Sequence, residues 1–181
     1  MLPEEKKRKL NDRIFANAQR LNSLLKDVAA ITRMDEGEEM IEKAPVDLAE
    51  LVNDVVAEER LRTSMNITVD MPQLKISGNR QLLESIFRNL IDNAISYSGG
   101  SEIVIKADSE GNFTVSDNGC GVPDEHLPHI FERFYRIDKG RSRAAGGTGL
   151  GLSIVRNAVG IHGSDISVTN NGGLQFRFRL H

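Results

Sequence analysis

One cysteine, Cys120, is all that the chain contains. A disulfide framework within the chain is therefore excluded, and a lone thiol suits a reducing compartment. Long apolar runs are also lacking, and none approaches the ~20 residues that a membrane-spanning helix needs. The start, "MLPEEKKRK", is charged where a secretory leader would be apolar. No strong charge of one sign is present: the formal net charge is −3, so there is no global nucleic-acid signature, and no nucleic-acid partner is expected. Internal repeats and low-complexity segments are absent. Between Pro3 and Gly37 there is neither glycine nor proline. What remains is 181 residues, 39% hydrophobic and 27% charged, which suits one globular domain with an appendage.

The appendage is the stretch without glycine or proline. Ile14, Ala18, Leu21, Leu25 and Val28 recur at alternating spacings of four and three, and Leu24 and Ile31 widen the stripe. This spacing predicts an amphipathic helix with bundle-like periodicity, roughly 45–50 Å long. Its stripe needs partner helices or the surface of its own domain to cover it. "MDEGEEMIEKAP" then reads as a turn and connector.

From Pro45 the pattern becomes α/β. Asp47 caps a predicted helix over Leu48 to Arg60, and Asn79 caps a stronger one reaching about Tyr97. "NITVDM", "LKIS", "EIVIKAD" and "NFTVSD" read as strands, and "DEHLPHIFERF" as a short helix. A helix over roughly Leu150 to His162 is followed by a hairpin of "DISVTN" and "LQFRFRL". The order of elements predicts an α+β fold, a mixed sheet covered by helices on one face.

Three features break these patterns. Asn93 projects at the edge of the apolar face of the Asn79 helix, with Asn89 one turn earlier on the same side. Such amides are either structural hydrogen-bond sites or oxygen ligands for a hard cation such as Mg²⁺. In "SDNGCGVP", Asp117 shares a strand face with Phe113 and Val115, so its carboxylate points inward. Asn118-Gly119 alone is an ordinary turn signal, but Gly121 and Pro123 follow it. The third is "ERFYRIDKGRSRAAGG", with Arg133, Arg136, Lys139, Arg141 and Arg143. Read alone, it is a solvated loop. It leads, however, into "GGTGLGLSIV", glycines at a helix start, where an anion is favoured. Phe131 and Phe134 offer it apolar anchors. This glycine loop is neither the dinucleotide fingerprint, whose spacing differs, nor a P-loop, because no Lys follows Gly149 or Gly151.

"NLIDNAISYS", "DNGCGVP", "IFERFYRID" and "GGTGLGLSIV" resemble, in this order, the N, G1, F and G2 boxes of the sensor histidine kinases of two-component systems. That family shares its ATP-binding fold with gyrase, Hsp90 and MutL. "NAQRLNSLLKDVAAITRMDEG" resembles the second helix of the kinases' dimerisation hairpin. The resemblance implies a two-layer α/β sandwich of the Bergerat type preceded by a long N-terminal helix. Residues 1–44 would be the hairpin helix and connector, and 45–181 the catalytic domain. It implies ATP and Mg²⁺ as ligands. Asp117 would accept from the adenine amino group, and Gly119 and Gly121 would let the backbone approach the base. Asn93 would ligate Mg²⁺, Asn89 would lie beside the phosphates, Tyr97 near the base or ribose, and Arg136 would reach the phosphates. Asn89 and Arg136 would be the catalytic pair. Phe131 belongs to the same pocket, and Gly147, Thr148, Gly149, Leu150, Gly151 and Leu152 would end a mobile lid and offer backbone N–H groups to the triphosphate.

There are departures. Ser96 stands where the family often has Lys, and "GLQF" where it often has a Thr. The family's phosphorylated histidine has no counterpart: His126, His129, His162 and His181 all lack an H-box context. The resemblance thus implies a fragment, a catalytic domain with half of the hairpin. Its implied partners are the missing helix, a response-regulator receiver domain and a second copy of the chain, and its implied place is the cytoplasmic portion of a membrane-anchored kinase. Two alternatives remain open: a serine kinase of the same fold, as in anti-sigma factors, and a non-catalytic nucleotide-binding signalling module.

Overall fold

The computed structural model describes residues 4–35, 41–137 and 147–181. Helix α1, Glu4–Asp35, runs 32 residues without interruption, as a stretch free of glycine and proline allows. Next come β1 (Ala44–Asp47), α2 (Leu48–Arg60), β2 (Asn66–Asp70), β3 (Lys75–Gly78) and α3 (Arg80–Asn93). They are followed by β4 (Glu102–Ala107), β5 (Asn112–Asp117), α4 (Gly151–Ile161), β6 (Ser167–Asn170) and β7 (Leu174–Arg179). The predicted connector between α1 and β1 falls in part on residues 36–40, outside the described residues.

Both predicted helix caps form. Asp47 Oδ1 accepts from the N–H groups of Ala49 at 3.1 Å and Glu50 at 3.2 Å, and Asn79 Oδ1 from that of Leu82 at 3.1 Å. The second helix reaches its predicted end, but changes its winding on the way. After Asn93 the chain widens into a π turn over Ala94–Ser98, closed by Gly99 at φ 66°. Such turns cluster at functional sites.

Strands β2-β4-β5-β7-β6 form one mixed sheet, in that order. β2 and β4 are parallel and the other pairs antiparallel. Ile103, Ile105, Phe113, Val115, Phe176 and Phe178 alternate onto one face and are buried, whereas Val104, Lys106, Thr114, Ser116 and Arg177 on the other face are not. The buried face meets α2, α3 and α4 in a single core, where Phe113 stacks on Phe178 at 5.4 Å and meets the edge of Phe87 at 5.3 Å. This is the predicted two-layer arrangement.

Two expectations need correction. β1 was not predicted. It pairs antiparallel with β3 in a separate two-stranded sheet, a setting that tolerates Pro45 because no inner ladder needs its N–H. The predicted helix over "DEHLPHIFERF" is only a 3₁₀ turn, Asp124–His126, continued by further turns. Pro128 has no N–H to give and its ring crowds a helical carbonyl, so the helix cannot propagate.

Charged groups bind α2 to α3. Glu59 is fully buried and accepts from Arg62 at 3.1 Å and Arg88 at 3.0 Å. Arg88 also reaches Glu84 at 2.8 Å and Glu58 at 2.7 Å. Burial raises the Glu59 carboxyl, as does the charge of Asp92, while Arg62 and Arg88 hold it down. The two arginines leave a carboxylate in this place hydrogen-bonded rather than orphaned.

Candidate nucleotide site

The end of α3 is the centre from which the site is built. The Asn89 amide nitrogen donates to Ser85 O at 2.8 Å and lies 3.2 Å from Ser85 Oγ. This fixes the amide's orientation and turns its oxygen toward the glycine loop, where a Cβ on Gly151 would come within 2.7 Å of Asn89 Oδ1. Asn93, one turn on, is half-buried and its side chain caps nothing. The π turn then carries Tyr97 and Ser98 to opposite neighbours. Any Cβ on Gly147 would collide with the Tyr97 hydroxyl. Ser98 O accepts from Cys120 N–H at 3.0 Å, and a Cβ on Gly119 would run into that same carbonyl.

Asp117 ends β5 buried at 8% exposure, on the core face as its alternation requires. Its Oδ1 accepts from Gly119 N–H at 2.8 Å and from Leu174 N–H at 3.4 Å. Both bonds fall on one oxygen, and an ionised carboxylate has about four acceptor positions, so capacity remains. The glycines beside it have reasons internal to the chain. Gly119 yields to Ser98. Gly121, at φ 68°, yields to Asn170 Oδ1, which a Cβ would meet at 2.5 Å. Asn170 in turn accepts from Val122 N–H at 3.1 Å and donates to Val122 O at 2.7 Å. Sequence reasoning missed Ser98 and Asn170; neither carries a motif, and only the crossing of segments reveals them.

The F-box segment is pinned to the glycine loop. Phe134 N–H donates to Gly149 O at 2.8 Å. Phe134 is the one described non-glycine residue with positive φ, 65°, and faces Gly149 at φ 74°. Phe131 meets the edge of Phe176 at 6.2 Å and is an apolar anchor as expected. Phe134 is not: its side chain is 69% exposed, and the segment is held there by its backbone. Arg136 is half-buried just beyond. Lys139, Arg141, Arg143 and Gly146, and with them most of the predicted lid, lie outside the described residues.

Thr148 ties this loop to α1 and α4. Its hydroxyl donates to Asp27 Oδ2 at 3.0 Å and accepts from Leu150 N–H at 3.1 Å. Burial raises the Asp27 carboxyl above its ordinary value, and the Thr148 bond offsets part of the rise. Asp92 is also raised, first by burial and further by the charge of Asp27, although Arg62 at 3.6 Å and Arg88 oppose it. Leu150 is buried and Leu152 half-buried at the start of α4.

The structure therefore gathers Asn89, Tyr97, Gly147, Thr148, Gly149, Leu150 and Gly151 around the end of α3, and joins them through Ser98 to Asp117 and Gly119. Among the described residues there is no group of three or more His, Cys, Asp or Glu able to hold a metal ion. The amide oxygens of Asn89 and Asn93 fit a hard cation that takes its remaining ligands from phosphates and water. An inward carboxylate, a glycine-lined helix start and these amides suit an adenine nucleotide with its cation.

Residues 78–181 match the family of histidine kinase-, DNA gyrase B- and HSP90-like ATPases. The sensor-like histidine kinase SenX3 of Mycolicibacterium smegmatis is 31% identical over 96% of this chain and 47% of its own length. The chain thus spans about half the length of the curated relatives it matches. The mycobacterial sensor histidine kinase MprB superposes with a TM-score of 0.66 at 26% identity, over 76% of this chain and 96% of that one. Full-length ShkA in complex with AMPPNP gives 0.79 at 26% identity, over 99% of this chain and 39% of the other. The chain belongs to the histidine kinase-, DNA gyrase B- and HSP90-like ATPase family, and within it to the ATP-binding catalytic domains of the sensor histidine kinases.

Proposed function

We propose that the chain binds Mg·ATP between Asp117 and the glycine loop and transfers the γ-phosphoryl group to a histidine that is none of its own four. One observation carries this reading: Gly151 and Gly147 pack against the Asn89 amide and the Tyr97 hydroxyl, so that the start of α4 opens beside α3. Asp117 receives the adenine amino group, and Tyr97 lies along the base or ribose. N–H groups from Gly147 to Leu152 hold phosphate oxygens. Asn93, with Asn89 beside the phosphates, would ligate Mg²⁺, which would supply charge neutralisation on the transferring group. Arg136 adds a second positive charge there. In the transfer, an imidazole nitrogen forms a P–N bond as the bond from the γ-phosphorus to the bridging oxygen breaks. ADP leaves, and the imidazole proton passes to a base. The chain's contribution is positioning and charge neutralisation.

Residues 1–44 serve as a dimerisation-hairpin helix and connector, and 45–181 as the catalytic domain, because α2 is buried in the same core as α3 and α4. The partners are a second copy through α1, a helix that supplies the histidine, and a response-regulator receiver domain. The working place is the cytoplasm; no described helix is long and apolar enough to cross a membrane. Calorimetric titration with Mg·ATP tests the reading. Saturable one-site binding that is lost with Asn93→Ala supports it. Wild-type affinity in that variant, or no binding by the wild type, overturns it.

A further inference from the structure

Thr148 is held by two hydrogen bonds of opposite sense, and both bear on what the loop can offer a phosphate. Its hydroxyl proton goes to Asp27 Oδ2, on a helix 121 residues away in sequence. Its oxygen takes the N–H of Leu150, the residue that opens α4. The first N–H groups of a helix have no partners within it, and they are what an anion at the N-terminus would use. Here one of them is taken, and so is the nearest hydroxyl. The group that orients the hydroxyl is a carboxylate, an oxygen acceptor of the same charge sign as a phosphate. Asp27 and a phosphate oxygen are thus competitors for one donor, and they repel each other as well.

The location of Asp27 adds a second consideration. α1 packs on α4, and its Ile31 rests on the edge of the core, but Ile14, Leu21, Leu25 and Val28 are exposed. Among the described side chains of α1, Ile31 is the apolar one packed against the core, so covering the exposed stripe with another helix can shift α1. The Asp27–Thr148 bond carries such a shift into the glycine loop.

We propose that Asp27 is a positioning residue: engaged with Thr148, it holds the glycine loop in a low-affinity arrangement for the triphosphate, and withdrawal of α1 releases the Thr148 hydroxyl and the Leu150 N–H to phosphate oxygens. This rests on the glycine loop being the phosphate site. A bulk effect of negative charge is the competing explanation, and Asp92 controls for it. Asp92 lies near enough to Asp27 for their charges to interact, but it pairs with Arg62 and does not touch Thr148.

The test is titration of Mg·ATP into the whole chain and its variants, together with amide exchange at Leu150 without nucleotide. Asp27→Ala should tighten binding by about tenfold to a hundredfold, the worth of one charge-assisted hydrogen bond. It should also speed Leu150 exchange in the free chain. Asp27→Asn, which can still accept from the hydroxyl, should fall between wild type and Asp27→Ala. Asp92→Asn should change affinity by less than about twofold. In a Thr148→Ala background, Asp27→Ala should add nothing, because the contact is already gone. An unchanged or weaker affinity in Asp27→Ala, with the wild type binding, overturns the latch and leaves the nucleotide reading standing. An equal gain from Asp92→Asn, or a gain that survives in the Thr148→Ala background, overturns it in favour of bulk charge. Failure of every chain to bind Mg·ATP overturns the nucleotide reading and the latch together.

Discussion

In the proposed site, Asp117 would select a base by what a carboxylate cannot do, which is donate a hydrogen bond. Adenine offers an amino donor at its six-position, and guanine offers a carbonyl there. Two acceptors facing each other beside a group only 8% exposed would leave polar atoms unpaired, at roughly 1–3 kcal/mol each. Wild type should therefore prefer ATP to GTP by about tenfold to a hundredfold per unpaired group. Asp117→Asn keeps the shape, gains a donor, and should weaken ATP while narrowing the gap. Titration of both nucleotides into both chains decides it; wild-type affinity and preference in the variant would make Asp117 a turn residue. His162 is a second residue whose role follows from one proton. Its Nδ1 donates to Ala158 O at 2.7 Å and its Nε2 accepts from Asn79 N–H at 3.1 Å, joining the end of α4 to the cap of α3. Protonation at Nε2 would set two N–H groups against each other. Burial lowers this imidazole below its ordinary 6.5; the Ala158 bond opposes the shift and Lys43 adds to it. A folded value below the unfolded one means that the unfolded chain binds the proton first. The stabilisation is thus complete above about pH 6.5 and is lost as pH falls through the folded value. Thermal unfolding from pH 8 to pH 5 should drop more steeply for wild type than for His162→Gln. Parallel profiles would assign the decline to other groups.

Among the described elements, α1 leaves an apolar stripe uncovered. Ile14, Leu21, Leu25 and Val28 lie between 52% and 69% exposed, an apolar stripe longer than scattered surface residues produce. The chain should therefore self-associate, and Leu21→Glu should weaken that association by at least about tenfold, since it sets a charge at the centre of the stripe. Sedimentation at rising concentration measures this, and a wild-type monomer throughout with α1 intact would refute it. The stripe was readable in the sequence because helix period and chain length both come from local spacing. So were the caps Asp47 and Asn79, and the strands whose buried residues alternate. β1 was not readable, since Pro45 in a four-residue segment argues against a strand unless the partner edge is known. "DEHLPHIFERF" was misread because its apolar spacing outweighed Pro128. The inward turn of Asp117 followed from strand alternation, but the reasons for Gly119 and Gly121 did not. They lie in Ser98 and Asn170, which only the folded chain brings close. The Asp27–Thr148 bond was wholly out of reach, because no local pattern encodes a contact between segments 121 residues apart.

At the scale of the whole molecule, the proposed nucleotide site is shared among α3, β5, the Phe131–Arg136 segment and the start of α4, yet none of the chain's histidines suits phosphoryl transfer from it. His162 is buried and committed at both ring nitrogens. His126 Nδ1 is 2.7 Å from the Tyr135 hydroxyl, and His129 Nδ1 is 2.7 Å from Glu132 Oε1. His181 follows β7, whose last residue Arg179 pairs with Asn112 at the end of β5 opposite Asp117. Positioning contributes most of the rate in a reaction of this kind, and misplacement by about 1 Å can cost a hundredfold. A chain with a working nucleotide site and no placed acceptor should bind Mg·ATP and remain unlabelled. Incubation with γ-labelled ATP should leave no acid-labile, base-stable label on it. Added in trans, a helix that carries an H-box histidine and covers the Ile14–Val28 stripe should become labelled, and Asn93→Ala should abolish that labelling. Leu21→Glu should reduce the labelling, because it sets a charge in the stripe on which the acceptor helix docks. Label on the chain itself in the absence of the helix would contradict this account, and mapping it to one of the four histidines would identify which one the geometry had wrongly dismissed.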